Sequence, residues 1–157
     1  MPFDHTKIEP KWQKYWDENK TFKTDCYDDS KPKYYCMDMF PYPSGNGLHV
    51  GHPEGYTATD IVSRMKRMQG YNTLWLPGTD HAAIATEAKV VAKLKEEGIS
   101  KEDLGREEFL NRAWEWKKEY GGIIINQIKK LGCSCDWDRE RFTMDEGLSN
   151  AVKHVFV

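Results

Sequence analysis

Phe40-Pro41-Tyr42-Pro43-Ser44-Gly45-Asn46-Gly47-Leu48-His49-Val50-Gly51-His52 lies between an aromatic, apolar run and a segment of helical period. The run before it, Tyr34-Tyr35-Cys36-Met37-Asp38-Met39-Phe40, reads as a buried strand spanning about 33–40. After it, Pro53 suits the first turn of a helix running to about Gln69 and stopped by Gly70. Strand, glycine turn and helix start together form a layout in which backbone N–H groups and the positive helix end can receive a phosphate. Glycines allow close approach of the chain to a ligand, and the imidazoles of His49 and His52 can donate to anionic oxygens. The residues outline a nucleotide-phosphate site.

Residues 72–76 are short and apolar enough for a second strand, parallel to the first. Strand, helix, strand at this spacing is a crossover unit, expected to be right-handed, and it opens a dinucleotide-type sheet. The fold class that follows is α/β: the first half of a Rossmann-type parallel sheet with flanking helices. A largely helical C-terminal part is expected after it.

Several helices follow from periodicity. Thr6-Lys7-Ile8-Glu9 has the capping-box pattern, Ile8, Trp12, Tyr15 and Asn19 then keep helical spacing, and Trp12 and Trp16, four apart, are expected to mark a packing stripe. In the crossover helix, Ala58, Ile61, Met65 and Met68 share the expected inner face. Ile84, Ala88, Val91 and Leu94 mark a third helix ending at Gly98. Phe109, Ala113, Trp116, Tyr120, Ile124, Ile128 and Leu131 continue a 3.6-residue period to Gly132. Gly121-Gly122 falls inside that last helix at about 1 kcal/mol per glycine relative to alanine, which a close crossing, a kink or a frayed break would explain. Trp114 and Trp116 lie on different faces of it.

Composition narrows the classes. With 157 residues, 39% hydrophobic and 31% charged, the chain fits one globular domain. No apolar run approaches the roughly 20 residues of a membrane span, and the N-terminus lacks a signal-type apolar core, so the expected address is the cytoplasm. A net charge of −2 is not the basic footprint of an independent RNA-binding domain. Cys133-Ser134-Cys135 lacks C-x-x-C spacing and a second cluster, and Cys26 and Cys36 stand apart. The four cysteines read as reduced structural thiols, and no metal is assigned.

Gly78-Thr79-Asp80-His81 follows the second strand, where open parallel sheets bind ligands. Residues 40–52 and 78–81 are expected to face one crevice. Asp80 either binds a ligand or caps the next helix, and His81 has the same two readings. Phe40 and Tyr42 either border a pocket or fill core.

His49-Val50-Gly51-His52 resembles the HIGH signature of class I aminoacyl-tRNA synthetases. The longer stretch 40–56, with Gly-Leu-His-Val-Gly-His-Pro-Glu-Gly-Tyr, and the N-terminal run from Lys7 to Phe22 are similar to leucyl-tRNA synthetases. Leu74-Trp75-Leu76-Pro77-Gly78-Thr79-Asp80-His81-Ala82, Arg112-Ala113-Trp114-Glu115-Trp116-Lys117, Tyr120-Gly121-Gly122 and the run from Cys135 to Asp145 resemble valyl-tRNA synthetases. Residues 1–72 thus look leucyl-like and 73–157 valyl-like, joined within Lys66-Arg67-Met68-Gln69-Gly70-Tyr71-Asn72. A hybrid gene, a designed chimera and a misjoined assembly would each give this pattern.

The resemblance implies a function and a set of roles. The chain would activate a branched aliphatic amino acid, valine slightly favoured over leucine, to the aminoacyl-adenylate for charging tRNA. His49 and His52 would be catalytic. Pro41, Tyr42, Gly47 and Gly51 would join them in binding ATP, with Mg²⁺ carried on the nucleotide. Phe40, Tyr42, Asp80 and His81 would hold the amino acid, Asp80 taking its ammonium. No K-M-S-K-S-like loop, editing insertion or anticodon-binding domain is found in the sequence, so the whole of 1–157 reads as part of a catalytic domain, with 1–24 a helical extension within it. The expected partners are ATP, valine or leucine, and tRNA in the complete enzyme. Self-association through an exposed half-sheet is also expected, as is weak activity of the isolated chain. A non-catalytic ATP- or partner-binding module is the competing reading, and a small adenylyltransferase with another substrate is a third.

Overall fold

The structure is a computed structural model and describes residues 3–42 and 47–157. It divides into two compact units. The first comprises Met1–Met39, Val50–Pro77 and Ile128–Glu140, the second Phe40–His49, Gly78–Gln127 and Arg141–Val157.

In the first unit, β1 (Lys33–Cys36) and β2 (Asn72–Trp75) pair in parallel, with Lys33 opposite Asn72 and Cys36 opposite Trp75. Helix α2 (Gly51–Met68) connects them and ends before Gly70, whose φ is +88°. This is the expected strand–helix–strand unit, and the α/β, Rossmann-type reading stands. The first strand is shorter than the expected 33–40. Beyond Cys36 the chain leaves the ladder because the Asp38 carboxylate accepts from the Thr59 hydroxyl (2.8 Å) and the Met39 N–H (2.7 Å). Helix α2 starts two residues before Pro53, which costs nothing because first-turn N–H groups have no intrahelical partner.

The buried side of α2 differs from the expected one. Ile61 and Met68 are 62% and 88% exposed, and Ala58 and Met65 are exposed too. The inward stripe is instead Tyr56, Asp60, Ser63, Arg64 and Arg67. Its partner is the turn after residue 131, whose backbone groups belong to no ladder and need bonds when buried. Asp60 accepts from the Ser134 N–H (2.8 Å), Arg64 donates to the Gly132 carbonyl (2.7 Å), and Arg67 donates to the Ser134 carbonyl (2.7 Å) and hydroxyl (2.6 Å). A polar face wins here because unmade backbone bonds cost more than the methyl groups gain.

Trp75, 2% exposed, and Tyr56, 5% exposed, pack with ring centroids 6.3 Å apart, and Cys36, Cys133 and Cys135 are buried in the same unit. Buried Asp136 ties its segment to Thr24: its carboxylate accepts from the Thr24 N–H (2.9 Å) and Arg139 Nε (3.1 Å). Helix α1 (His5–Glu18) starts earlier than the capping box suggests, with Asp4 at the cap position and the Thr6 hydroxyl donating to Asp4 (2.6 Å). Its expected stripe holds only in part. Ile8, Trp12 and Tyr15 are exposed, whereas Trp16 packs as expected, on Phe22 (centroids 5.5 Å apart) and against Gly132. Gly132 has φ +81°, and a Cβ there would stand 3.3 Å from the Trp16 ring.

The second unit holds β3 (Gly78–Thr79) paired in parallel with β4 (Arg141–Phe142), and the helices α3 (Ala83–Glu96), α4 (Lys101–Leu104) and α6 (Glu146–Phe156). Most of α5 (Arg106–Lys130) belongs to it as well. Its core is Val90, Leu94 and Trp116, with Ile99, Leu104, Phe109, Ala113 and Tyr120 packed around them. Each fully buried residue of this size contributes about 1.5–3 kcal/mol. The α3 face is therefore rotated from the expected one: Leu94 is inside, but Ile84 is 86% exposed and Val90 replaces Ala88. On α5 the expected period holds to Ile128 and fails at Leu131, which lies beyond the helix and is half exposed. Trp116 is buried and Trp114, on another face, meets Phe142 edge-on at 5.9 Å. Gly121-Gly122 does not break α5, and a Cβ at either would meet nothing within 4 Å, so no close crossing explains the pair.

Among the described residues, no helix is long and apolar enough to cross a membrane, and no group of three His, Cys, Asp or Glu side chains could hold a metal ion.

Candidate active site

The second unit brings the ends of its short strands against the segment that enters the glycine turn. Pro41 is buried, and its carbonyl accepts from the Asp80 N–H at 2.8 Å. Phe40 lies over Gly78, so closely that a Cβ on that glycine would stand 2.5 Å from two ring carbons and 2.6 Å from the Arg141 carbonyl. Phe40, Pro41, Tyr42, Asp80 and His81 therefore form one cluster, as the strand-end argument requires. Tyr42 is 37% exposed, and the Asp80 and His81 side chains are each 39% exposed. A ligand has access to all three.

The competing role for Asp80, capping the next helix, is not what the chain does. The cap position of α3 is Ala82, with φ +43°, and it makes no side-chain cap bond. Asp80 instead accepts from the Thr143 hydroxyl at Oδ1 (2.9 Å). The His81 N–H donates to the same hydroxyl (2.9 Å), and His81 Nδ1 is 2.6 Å from it. The His81 carbonyl accepts from the Thr86 hydroxyl in the first turn of α3 (2.8 Å). Pairing of Thr79 with Phe142 explains the placement, since Asp80 and Thr143 are the next residues along each strand.

The glycine turn itself, Pro43 to Asn46, lies outside the described residues. On its far side Gly47, with φ +104°, packs on the Gln127 amide, which a Cβ would displace, and Gln127 Oε1 accepts from the Leu48 N–H (2.7 Å). His49 follows, exposed, as the last residue of that segment of the second unit. Gly51 and His52 open α2 in the first unit. His52 stacks on Tyr56, with centroids 6.3 Å apart and planes 9° from parallel. Tyr56 is itself anchored by donating to the Met39 carbonyl (2.8 Å), and burial pushes its phenol well above the usual range. The His52 ring is thus held from one face at the helix start.

Thr143 and Gln127 carry no functional signal in the sequence. They lie 63 and 79 residues from the partners they bond. No periodicity marks either.

The family described as tRNA synthetases class I (I, L, M and V) matches residues 11–157. The chain belongs to that family. A valine–tRNA ligase of Carboxydothermus hydrogenoformans is 56% identical over 151 residues, 96% of this chain and 17% of that protein. One from Nostoc is 51% identical over 99% of this chain and 15% of its own length. These matches run through the leucyl-like front and the valyl-like back alike. Among solved structures, the ternary complex of an Agrobacterium radiobacter LeuRS with tRNA and LeuAMS superposes with a TM-score of 0.77 at 25% identity, covering 98% of this chain and 18% of that one. The chain therefore spans about a sixth of the length of these relatives.

Proposed function

We propose that this synthetase segment binds ATP and a branched aliphatic amino acid, valine in preference to leucine, and forms the aminoacyl-adenylate that charges tRNA in the complete enzyme. The observation that carries the reading is the cluster of Phe40, Tyr42, Asp80 and His81. It sets a carboxylate and an imidazole next to the Phe40–Tyr42 segment at a strand end. The identity of 56% to a valine–tRNA ligase supports the choice of amino acid.

The Asp80 carboxylate takes the substrate ammonium, and Phe40 and Tyr42 border its aliphatic side chain. The substrate carboxylate oxygen then attacks the α-phosphorus in line, the bond to the bridging oxygen breaks, and pyrophosphate leaves with the electron pair. Such a reaction depends on positioning and on stabilising charge as it develops. His49 and His52 donate to phosphate oxygens, aided by the positive start of α2. Pro41, Tyr42, Gly47 and Gly51 shape the nucleotide site, and Mg²⁺ arrives on the nucleotide as part of the substrate. The whole of 1–157 belongs to one catalytic domain acting in the cytoplasm, with 1–24 its helical extension.

The test is a graft in which this chain replaces the corresponding 151-residue stretch of the Carboxydothermus enzyme. ATP–pyrophosphate exchange is then measured with valine, leucine and isoleucine in turn. Exchange that depends on valine supports the reading. A folded graft with no amino-acid-dependent exchange refutes it, and a hundredfold preference for leucine, near the limit set by about 1–3 kcal/mol per methylene, overturns the choice of valine.

The exposed Tyr35, Met37, Ile61 and Met68 in the first unit favour self-association of the isolated chain. Sedimentation should show a concentration-dependent dimer or larger species, and a strict monomer at every concentration would count against it.

A further inference from the structure

The hydroxyl of Thr143 has one proton and two lone pairs, and three groups compete for them. The His81 backbone N–H can only donate, so it takes one lone pair (2.9 Å). Asp80 Oδ1, 2.9 Å away, can only accept while ionised, so it takes the hydroxyl proton. What remains for His81 Nδ1, at 2.6 Å, is the second lone pair, and the ring nitrogen must therefore carry a proton. The opposite assignment would turn the hydroxyl proton to Nδ1 and leave two bare oxygens facing each other at 2.9 Å. Asp80 Oδ1 also stands 3.5 Å from Nδ1, which further favours a proton there.

We infer that Thr143 is a positioning residue that locks His81 in the Nδ1–H tautomer, so that His81 Nε2 and the Asp80 carboxylate together form an all-acceptor receptor for the substrate ammonium. An ammonium offers three donors and no acceptor. A receptor built from a carboxylate and an unprotonated ring nitrogen accepts it, whereas the other tautomer would make Nε2 a donor. Thr143 acts through its two neighbours, Asp80 and His81. The inference rests on the assignment of Asp80 and His81 to the amino-acid site, but its first test does not need that assignment.

The first test reads the ring nitrogens of His81 by long-range ¹H–¹⁵N correlation at pH 8, in the ¹⁵N-labelled chain, with His81→Gln identifying the signals by their loss. Nδ1 should show the shift of a protonated ring nitrogen and Nε2 that of a bare one. Thr143→Ser, which keeps the hydroxyl, should leave both in place. Thr143→Val should move them towards the Nε2–H form. A wild-type spectrum of the Nε2–H form, or a Thr143→Val spectrum identical to wild type, overturns the inference whatever the activity.

The second test measures the KM for valine and for ATP in the grafted ligase. Thr143→Val should raise the valine KM roughly tenfold or more, the scale of one hydrogen bond to a charged group, with the ATP KM unchanged and Thr143→Ser restoring it. A lost tautomer with an unchanged valine KM would overturn the ammonium receptor. Absence of valine exchange with the wild-type segment would instead strike the proposed function, while the tautomer result stands on its own.

Discussion

Gly78→Ala probes the contact that joins fold to site. The added methyl carbon would stand 2.5 Å from two Phe40 ring carbons and 2.6 Å from the Arg141 carbonyl oxygen. Carbon atoms normally rest about 3.5–4.0 Å apart, so something must move by about 1 Å. The Phe40 ring can tilt, but the Arg141 carbonyl is fixed by the pairing of Gly78 with Arg141. The cost should be about 2–3 kcal/mol, the upper part of the range for overpacking, because one of the two obstacles is backbone. Phe40→Ala alone removes a half-buried ring and should cost about 1–2 kcal/mol, less than the loss of a fully buried one. In the double variant the ring clash is gone and only the backbone clash remains, so the two costs should fall short of additivity by about 1 kcal/mol. Urea unfolding followed by tryptophan fluorescence gives all four stabilities. A Gly78→Ala chain within about 0.5 kcal/mol of wild type, or additive costs, would refute the placement of Phe40 over Gly78.

Three further outcomes are expected. Gly122→Ala should stabilise the chain by about 1 kcal/mol, since the exposed helical position leaves open space around a Cβ, and a destabilisation in the same urea assay would show a hidden contact. Arg67→Met should cost about 2–3 kcal/mol by stranding the Ser134 carbonyl and hydroxyl, and a neutral result would deny that the polar face of α2 is the buried one. Burial pushes the Cys133 thiol up to about 12, so well below pH 9 it is neutral in both folded and unfolded chains. As pH rises from 9 towards 12 the unfolded chain ionises first and stability falls. In alkylation at pH 8, Cys26 should react first, and Cys133 and Cys135 only when denaturant opens the fold, with equal rates at all three arguing against that burial.

The start of the sheet was legible because strand and crossover carry local signals. An aromatic run, a helical period, a glycine stop and a short apolar run suffice to pair Lys33–Cys36 with Asn72–Trp75. Helix faces were less legible. Ile61, Met65 and Met68 on α2 look like an inner stripe only while the turn at 132–136 is ignored, and that turn is more than sixty residues away in sequence. Likewise, Val90 rather than Ala88 faces inward because Trp116 and Tyr120 on α5 set the angle of α3. The meeting of Phe40–Tyr42 with Asp80 followed from strand ends sharing a crevice. The hydroxyl that organises Asp80 and His81 did not, because a threonine after a two-residue strand has no periodic or motif signature. Family resemblance named the residues of the site, and packing supplied their partners.

The measurement that bears most directly on the proposed chemistry is pyrophosphate exchange in the grafted valine ligase with His49→Ala, His52→Ala and both. Each single substitution should lower kcat about 10²–10³-fold, the loss of one preorganised donor to developing negative charge, with the valine KM little changed. Exchange undiminished in the double variant would contradict the assignment of phosphate chemistry to these two histidines.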